Sequence, residues 1–550
     1  MNPRVLILSA LSALPATAQT TEFVSNAPDG SQADGTSRNA VVSGNGRYVA
    51  FESLGGNLVA GDVNGDWDVF VLDRATGAIQ RASTTTFGVG GGPHPSRNPS
   101  ISYDGRYVAF ESESPNLAPL DVNGAADVFV KDTQTGVLVR ASVQAGGLPA
   151  SGASSEPSLD DSGLWVSFRS DAGNLPGGGS GWTQIFLKNW QTGELQLVSG
   201  TALGAGGNGD SWEPCLSPDG RRVAFTSEAD DLLGPGADTN SYSDVYVHDR
   251  VLKKLWLASS AADGSAGVAD AFHPSLSLDG SVVAFAAIAN NLLPGDENKT
   301  TDVYVRDLDA GVLVRASLDA NGVEHSGPIN QPCLSRDGDR VLFDVQGDGF
   351  GPADFNDVKD VYQKTLSTGA VLRVSVQQYG NPSLATASRG SMSADGTLFT
   401  FDAYEGFLNG DANGVLDVAA RILEPALHES YGEGHAGTLG VPQLSLSQDP
   451  VLASTTAIQI GNSLGAPTSG LVAYGPFQFL APTPLGGELL VFQAQLVPVE
   501  LPPGTAEFPW SIPDNPNLLG AELFWQAFVV DPGASHGVAF TPGLRTVLGH

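Results

Sequence analysis

The chain has 550 residues, of which 60 are acidic and 27 basic, so its formal net charge is −33. Nucleic acids and anionic membrane surfaces repel such a charge, which argues against both as partners. The 68 glycines, 35 prolines and only 16% charged residues favour many short strands and turns over long helices. Because a single hydrophobic core stops growing at about 250–300 residues, we expect repeats or several domains.

The first 18 residues have the three parts of a secretory signal peptide. Met1–Arg4 is a short basic start, Val5–Leu14 is apolar, and Ala16–Ala18 is a cleavage site of small residues. A buried N-terminal strand is the alternative interpretation. We expect the mature protein to begin near Gln19 and to be exported to the periplasm, the cell surface or the medium. No later segment has 18 apolar residues free of Gly, Pro and charge, so no membrane span is predicted.

A unit of 57–60 residues recurs seven times along the chain. Each copy contains an apolar strand resembling RYVAFES, an acidic loop resembling NLxxxDxNGxxDVFV and a closing segment resembling TGxxxRAS. Four short strands in a repeat of this length are typical of a β-propeller blade. The phenylalanine of the apolar strand recurs at Phe51, Phe110, Phe168, Phe225, Phe285, Phe343 and Phe401.

The second copy shows how one unit is divided. Pro99–Tyr103 is predicted as the first strand, and the turn at Asp104 leads to a second strand over Arg106–Glu111. The acidic loop follows, then a third strand over Asp127–Asp132 and a fourth over Leu138–Ser142. A Gly- and Ser-rich connection leads to the next unit.

The two ends of the repeat array complement each other. The fourth-strand serine already occurs in Glu22–Ser25, before any complete unit, whereas the last unit runs into Ile422–Pro425 without one. We therefore predict that the N-terminal strand completes the last blade and closes a seven-bladed propeller over residues 19–423. Closure removes the strand edge that an open array would expose.

These residues resemble the TolB-like and WD40-like (PD40) β-propeller repeats, which share the serine-x-Asp-Gly hairpin, the apolar strand ending in Phe and the third strand beginning D-[VI]-[FY]. The resemblance covers roughly residues 20–423. The third copy departs from it, with Ser162-Gly163 at the turn and Gln184 at the start of the third strand, so an altered loop is expected there. The resemblance implies a propeller fold, and a binding scaffold more often than an enzyme.

The stretch 424–550 lacks the repeat and is predicted to form a small β-sandwich. Tyr431-Gly432-x-Gly434 and the end from Gly543 resemble a C-terminal module of other secreted bacterial repeat proteins, which implies attachment or export. The predicted strands are Ala457–Ile460, Gly470–Tyr474, Glu488–Val499 and Glu522–Val530.

Cys215 and Cys333 occupy the same place in two separate repeats, PCLSPDG and PCLSRDG. Matching places on blades that are not neighbours are expected to lie too far apart for a disulfide. We therefore predict two free thiols.

The acidic loops contain carboxylate and amide oxygens at alternating positions, a pattern that suits calcium. An EF-hand is excluded because the required glycine at position six is missing. The alternative is that Asp and Asn close Asx-turns on backbone amides. The sequence therefore predicts no obligatory cofactor, with calcium as a weaker possibility at Asp62, Asn64, Asp66, Asp68, Asp121, Asn123 and Asp127.

One residue near the start of each innermost strand varies while the surrounding framework repeats. In a propeller these residues lie at one mouth of the central channel, so they are candidates for a binding surface. Solvated strand starts are the alternative interpretation. The candidates are Asn39, Asn98, Glu156, Glu213, His273, Gln331 and Arg389, with Trp212 and Phe272 as aromatic contacts.

The sequence thus predicts a binding or scaffold protein without catalytic residues, whose partner is a protein or a cell-surface glycan. A propeller lyase or hydrolase acting on polysaccharide is the alternative, with His273, Arg389, Glu156 and Glu213 as its converging groups. A structural role at the cell surface, through the C-terminal module, is a third. The sequence does not predict the oligomeric state.

Overall fold

The computed structural model describes most of the chain from residue 20 to 548, so the predicted signal peptide lies outside the described residues. The described residues form two compact units, one that extends from Glu22 to Arg421 and a second that begins at Ile422. The positions within 20–548 that are not described are 91, 93, 120, 122, 235, 352–355, 378–382, 405, 409–410, 424–426, 432–435, 437, 448–449, 451–454, 476, 483–487, 493–494, 513–521 and 535–537.

Short strands joined by turns make up the described part of the first unit. In chain order they are β1 (Thr20–Phe23), β2 (Ser37–Val42), β3 (Tyr48–Ser53), β4 (Asp68–Asp73), β5 (Ala78–Arg81), β6 (Ser96–Ile101), β7 (Tyr107–Ser112), β8 (Asp127–Asp132), β9 (Leu138–Arg140), β10 (Ser154–Leu159), β11 (Trp165–Ser170), β12 (Gln184–Asn189), β13 (Leu195–Leu197), β14 (Ser211–Leu216), β15 (Arg222–Ser227), β16 (Asp244–Asp249), β17 (Lys254–Leu257), β18 (Ala271–Leu276), β19 (Val282–Ala287), β20 (Asp302–Asp307), β21 (Val312–Arg315), β22 (Ile329–Leu334), β23 (Arg340–Gln346), β24 (Lys359–Thr365), β25 (Val371–Arg373), β26 (Ala387–Met392), β27 (Leu398–Ala403) and β28 (Asp417–Ile422).

These strands form seven four-stranded antiparallel sheets within the described residues. Blade 1 is β2–β5 and the blades follow in chain order to blade 6, β22–β25, while blade 7 joins β26–β28 to the N-terminal strand β1. The Val24 N–H donates to the Val418 carbonyl at 2.8 Å, and Ser25 Oγ donates to Asp417 Oδ1 at 2.8 Å. The predicted closure by the N-terminal strand is confirmed.

The first strands of the blades line a central channel. Each of them packs against the first strand of the next blade, and β26 packs against β2, so the sheets form a closed ring. The fold is therefore a β-propeller, as the repeat predicts.

The hydrophobic core lies between neighbouring blades. Phe51 stacks on Phe70 with ring centroids 5.9 Å apart, and Phe110 stacks on Phe129 at 5.8 Å. One apolar cluster joins Val71 of blade 1 to Phe110 and Phe129 of blade 2, and all of these side chains are buried. Each blade thus buries its apolar faces only against its neighbours, which explains why the aromatic positions recur in every copy.

The third blade keeps the common hairpin despite its different sequence. In the other copies the serine of the turn donates to the aspartate, or in blade 1 the asparagine, two residues later, as from Ser102 to Asp104 at 2.9 Å. In blade 3 the two residue types are exchanged, and Ser162 Oγ donates back to Asp160 at 2.6 Å. Gly163 retains a positive φ of 69°, so the turn itself is unchanged.

The strand limits correct two predictions. In blade 2 the first strand begins at Ser96 rather than Pro99, because residues before the proline already pair with β7 through a bulge. In the second unit, Glu488–Val499 is not one strand: Glu488–Phe492 and Gln495–Leu501 are separate strands in different sheets. Both segments are rich in strand-forming residues, so composition alone did not reveal the break.

The second unit contains β29 (Leu427–Tyr431), β30 (Leu444–Leu446), β31 (Thr455–Gly461), β32 (Thr468–Gly475), β33 (Phe477–Pro482), β34 (Glu488–Phe492), β35 (Gln495–Leu501), β36 (Thr505–Ser511), β37 (Glu522–Val530), β38 (Val538–Phe540) and β39 (Gly543–Val547).

The strands of the second unit form a β-sandwich. A six-stranded sheet has the order β29-β39-β37-β32-β35 with β38 beside β37, a three-stranded sheet has the order β30-β31-β36, and β33 pairs with β34. Trp510 of the three-stranded sheet packs on Trp525 of the six-stranded sheet with ring centroids 4.9 Å apart, and both are fully buried. The two larger sheets thus share one apolar core, as predicted.

Two further observations concern the whole chain. Cys215 and Cys333 are free thiols, as expected from their places in separate blades. Among the described residues, no helix has the length and apolar character required to cross a bilayer.

Candidate binding site at the channel mouth

The seven candidate ring residues share one backbone conformation. Each lies at a β-bulge in the first strand of its blade, for example between Arg38 and Val41 in β2. Each has a positive φ of 50–56°, which non-glycine residues adopt infrequently. Bulges re-aim side chains and terminate regular pairing. The sequence located these residues at one mouth of the channel but did not reveal the bulge that positions them.

The bulge leaves the N–H of the ring residue without a partner in its own sheet, and a carboxylate of the preceding blade accepts it. This arrangement occurs in six blades, with donor–acceptor distances of 2.8–3.0 Å. The pairs are Asn39 with Asp402, Asn98 with Glu52, Glu156 with Glu111, Glu213 with Glu156, His273 with Glu213, and Arg389 with Asp344. A ring of carboxylates therefore fixes the backbone of the channel mouth.

Two of the predicted residues are in direct contact. His273 Nε2 lies 3.1 Å from Glu213 Oε1, and Thr226 Oγ1 donates to Glu213 Oε2 at 3.1 Å. Burial by itself would raise the pKa of Glu213, but the hydrogen bond and charge of His273 outweigh it, so that pKa is lowered. Burial raises the pKa of Glu156 against the opposing charge of Arg169, which lies 3.2 Å away.

Asp344 and Asp402 are almost completely buried beside the channel. Burial raises the pKa of each carboxyl to about 7, although Lys359 lies 4.0 Å from Asp344 and Arg389 lies 3.8 Å from Asp402. The sequence did not single out these two residues, because in a chain with 60 acidic residues a carboxylate at one register is not distinctive.

The residue that precedes each ring residue forms a second layer of the mouth. In blades 4 and 5 it is Trp212 and Phe272, both partly buried. In blades 1 and 2 it is Arg38 and Arg97, whose guanidinium groups lie 4.3 and 5.6 Å from the ring centroid of Trp67. At this register the aromatic and cationic residues therefore lie on different blades, and the cationic ones contact an aromatic ring of blade 1. Arg38 and Arg97 occupy the same position in the repeat as Trp212, so an alignment of the repeats could have identified them.

The opposite end of the channel is narrowed by the hairpin turns. Backbone hydrogen bonds join neighbouring turns, as from the Tyr103 N–H to the Asp161 carbonyl at 3.0 Å. Arg336 of blade 6 extends to Asp161 of blade 3, with 2.5 Å between Nη2 and Oδ2, and its guanidinium lies 5.0 Å from the Tyr103 ring centroid. Blades 3 and 6 are not neighbours in the ring, so this ion pair crosses the channel.

The groups of the enzymatic alternative do not all converge. The Glu213 carboxylate contacts His273 directly. Glu156 contacts Glu213 through the backbone, because the Glu213 N–H donates to Glu156 Oε2 at 2.8 Å. Arg389 lies instead beside Asp402 and donates its backbone N–H to Asp344. Each carboxylate among them is engaged in holding a neighbouring blade.

The candidate calcium loops are organised around an arginine of the fourth strand. In blade 1, Arg81 Nη1 lies 2.8 Å from Asp62 Oδ1 and 3.0 Å from Asp68 Oδ2. Asn64 Nδ2 donates to Asp68 at 2.8 Å, and its Oδ1 accepts the Asp66 N–H at 3.2 Å in an Asx-turn. The loop therefore contains the Asx-turn of the alternative interpretation.

The corresponding loop of blade 2 has the same arrangement. Arg140 lies 3.4 Å from Asp121 and 3.3 Å from Asp127, and Asn123 Oδ1 accepts the Ala125 N–H at 3.0 Å. Burial raises the pKa of Asp127 to about 6, against the hydrogen bond from Ser142 and the charge of Arg140.

We expect calcium to leave the melting temperature of the propeller unchanged. In blades 1 and 2 the guanidinium groups of Arg81 and Arg140 already lie between the carboxylates that a calcium ion would need. In blade 4, where Leu257 replaces the arginine, Tyr246 and Ser259 donate to Asp238 and Asp244. Thermal melts in millimolar calcium and in excess chelator test this. A higher melting temperature in calcium would support ion binding, and magnesium serves as the control for a non-specific effect of divalent charge.

Comparisons with known proteins give the following findings. No protein-family model and no curated protein matches this chain. Similar solved structures include a prolyl endopeptidase, with 11% identity, TM-score 0.43, 83% of this chain covered and 57% of that chain. They include a TolB from Agrobacterium tumefaciens described as putative, with 14% identity, TM-score 0.34, and 64% and 95% covered. A Trypanosoma rangeli sialidase has 8% identity and TM-score 0.32, with 96% and 95% covered. This chain thus spans little more than half the length of the endopeptidase chain.

Proposed function

We propose that this protein is an exported, non-catalytic binding protein that holds a protein or glycan partner at the channel mouth. The supporting observation is the ring of seven bulged residues, which share one backbone conformation and present Asn, Glu, His, Gln and Arg side chains. A rigid backbone that carries different side chains is suited to recognition of one particular partner. The repeats' resemblance to TolB-like and PD40 propellers supports the same role.

The two ends of the channel differ, and the difference favours binding at the mouth. At the turn end, the Arg336–Asp161 ion pair crosses the channel. At the mouth, the aromatic residues Trp212 and Phe272 and the ring residues Glu213 and Arg389 are partly exposed. A recess with apolar surface and a few positioned polar groups is the usual form of a ligand site. The β-sandwich is proposed to serve attachment or export.

The test is capture of partners from the envelope and secreted fractions of the producing cell, with cross-linking and mass spectrometry. We expect a specific partner that is retained by the native protein and lost from an Arg389→Glu, Trp212→Ala double variant. The matched control is Gln134→Arg, an exposed turn residue at the opposite end of blade 2. Equal retention by the double variant and the native protein would remove the channel mouth from consideration. Shortened polysaccharide in the mixture would favour the enzymatic alternative.

A further inference from the structure

The carboxylates that accept the bulge N–H groups come from two places in the repeat. Glu52, Glu111, Asp344 and Asp402 stand at one register of the second strand, directly after the apolar core residue. In blades 3 and 4 this register holds Arg169 and Thr226, and there the ring residue itself, Glu156 or Glu213, supplies the carboxylate to the next blade. Every blade except blade 5 thus carries an acid at one place or the other.

Blade 5 has an acid at neither place. Its second-strand register holds Ala286, which pairs with Phe272, and its ring residue is His273. The next ring residue, Gln331 of blade 6, has the same bulge and a φ of 56°. Among the described residues no carboxylate accepts the Gln331 N–H, although the equivalent N–H has such an acceptor in the other six blades. His273 Nδ1 is also buried and has no hydrogen-bond partner in the described part of the chain.

The space beside the Gln331 N–H has an aromatic residue on one side and acids that already have partners on the other. The Phe272 ring meets the His273 ring edge-on with centroids 5.0 Å apart, and Trp212 has the same register one blade earlier. The acids of the flanking blades are already engaged: Glu213 lies 3.1 Å from His273 Nε2, and Asp344 lies 4.0 Å from the Lys359 ammonium. The repulsion that these acids exert on the carboxylate of a ligand is therefore reduced.

We propose that the channel mouth binds an acidic sugar of the uronate type, whose carboxylate accepts the Gln331 N–H at the place that the protein's own carboxylates occupy in the other blades. The sugar ring packs on Phe272, because the C–H faces of pyranose rings are apolar and match flat aromatic surfaces. This inference rests on the proposed function and names its ligand class. An acidic peptide shares the carboxylate but has no rigid ring to pack on Phe272.

The test uses trigalacturonate as the probe and isothermal titration calorimetry on the purified protein. We expect binding of trigalacturonate and at least tenfold weaker binding of its carboxyl-reduced, neutral analogue. Equal affinity for the two sugars, or no binding of trigalacturonate, would overturn the inference. Preferred binding of a glutamate-rich peptide would overturn the glycan assignment. These calorimetric results do not depend on whether a cross-linked partner is held at the mouth. The uronate assignment can therefore be wrong while the proposed binding function is right, and the two experiments distinguish these cases.

The variant Ala286→Asp tests the position directly. Aspartate at this register accepts the next blade's bulge N–H in blades 6 and 7, so it is expected to do so here. We expect at least tenfold weaker binding of trigalacturonate, with an unfolding midpoint no lower than that of the native protein. Gln134→Asp adds the same charge at the far end and is expected to leave affinity within twofold. Undiminished affinity in Ala286→Asp would contradict the proposal. If Ala286→Asp does not fold, Phe272→Ala must weaken binding by a similar factor.

Discussion

Replacement of Arg81 by leucine is expected to lower the free energy of unfolding by about 3–5 kcal/mol, because it leaves two buried carboxylates without their cation. The side chains of Asp62 and Asp68 are 5% and 1% exposed, and that of Arg81 is 11% exposed. Loss of one partner from a buried pair costs the full desolvation of the other. Denaturation in urea, followed by tryptophan fluorescence at pH 8, measures the change.

A compensating variant separates lost charge balance from lost packing. Blade 3 has a neutral set, in which Gln184 takes the place of the aspartate, Leu197 takes the place of the arginine, and Ser199 donates to Gln184 Oε1 at 2.7 Å. The triple variant Arg81→Leu, Asp62→Asn, Asp68→Gln takes the Leu and Gln of that set and also removes the charge of Asp62, and it is expected to recover at least half of the lost stability. No recovery would show that the arginine acts through packing alone.

A control for the same experiment is an exposed ion pair of blade 1. Arg47 Nη2 lies 2.7 Å from Asp73, but the arginine side chain is 47% exposed. Arg47→Leu is expected to change stability far less than Arg81→Leu, because water already solvates both partners. Equal losses in the two variants would contradict the burial argument.

The repeats neutralise the same buried acids in more than one way. In blade 4 the register of Arg81 holds Leu257, while Asp244 remains. Burial raises the pKa of Asp244 to about 7, against hydrogen bonds from Ser259 and Asn240, so a proton replaces the guanidinium near neutrality. The loop motif is thus a structural device for joining the third and fourth strands, and the charge state of each copy follows from one fourth-strand residue.

The architecture was predictable from the sequence because repetition supplies the same information seven times. A strand such as Asp127–Asp132 was predicted to the residue, since its apolar run is bounded by an acidic loop and a Thr-Gly turn. The closure by β1 followed from the serine at Ser25, which precedes any complete unit. These features depend on local pattern and on counting, and both are visible in one chain.

The chemistry of the mouth was less predictable, because it depends on contacts between blades. The sequence located Glu213 and His273 at the channel, but their contact joins residues 60 positions apart. The bulge that turns these residues is set by backbone geometry, and a proline after Glu156 or Glu213 is only a partial signal. The Arg336–Asp161 pair across the channel has a sequence separation that no local pattern encodes.

Stability is expected to fall as the pH rises from 5 to 8, and Asp344 and Asp402 are expected to carry much of the decline. Burial raises the pKa of both to about 7, well above the ordinary value of 3.8. Between these values the folded state keeps protons that the unfolded chain has released, so unfolding becomes more favourable as the pH rises. A difference of one pKa unit corresponds to about 1.4 kcal/mol, so each group contributes about 3 kcal/mol across the interval from pH 5 to 7.

The variant Asp344→Asn isolates one of these contributions. Its amide oxygen still accepts the Arg389 N–H but carries no charge, so the decline between pH 5 and 8 is expected to be shallower by about 3 kcal/mol. Urea denaturation at half-unit intervals of pH measures both slopes. Asp73→Asn is the control: hydrogen bonds from Arg47 lower the pKa of Asp73 to about 2, so its titration lies outside the interval. Parallel curves for Asp344→Asn and the native protein would show that the carboxyl at this blade is already ionised at pH 5, and that the cations Lys359 and Arg389 outweigh its burial.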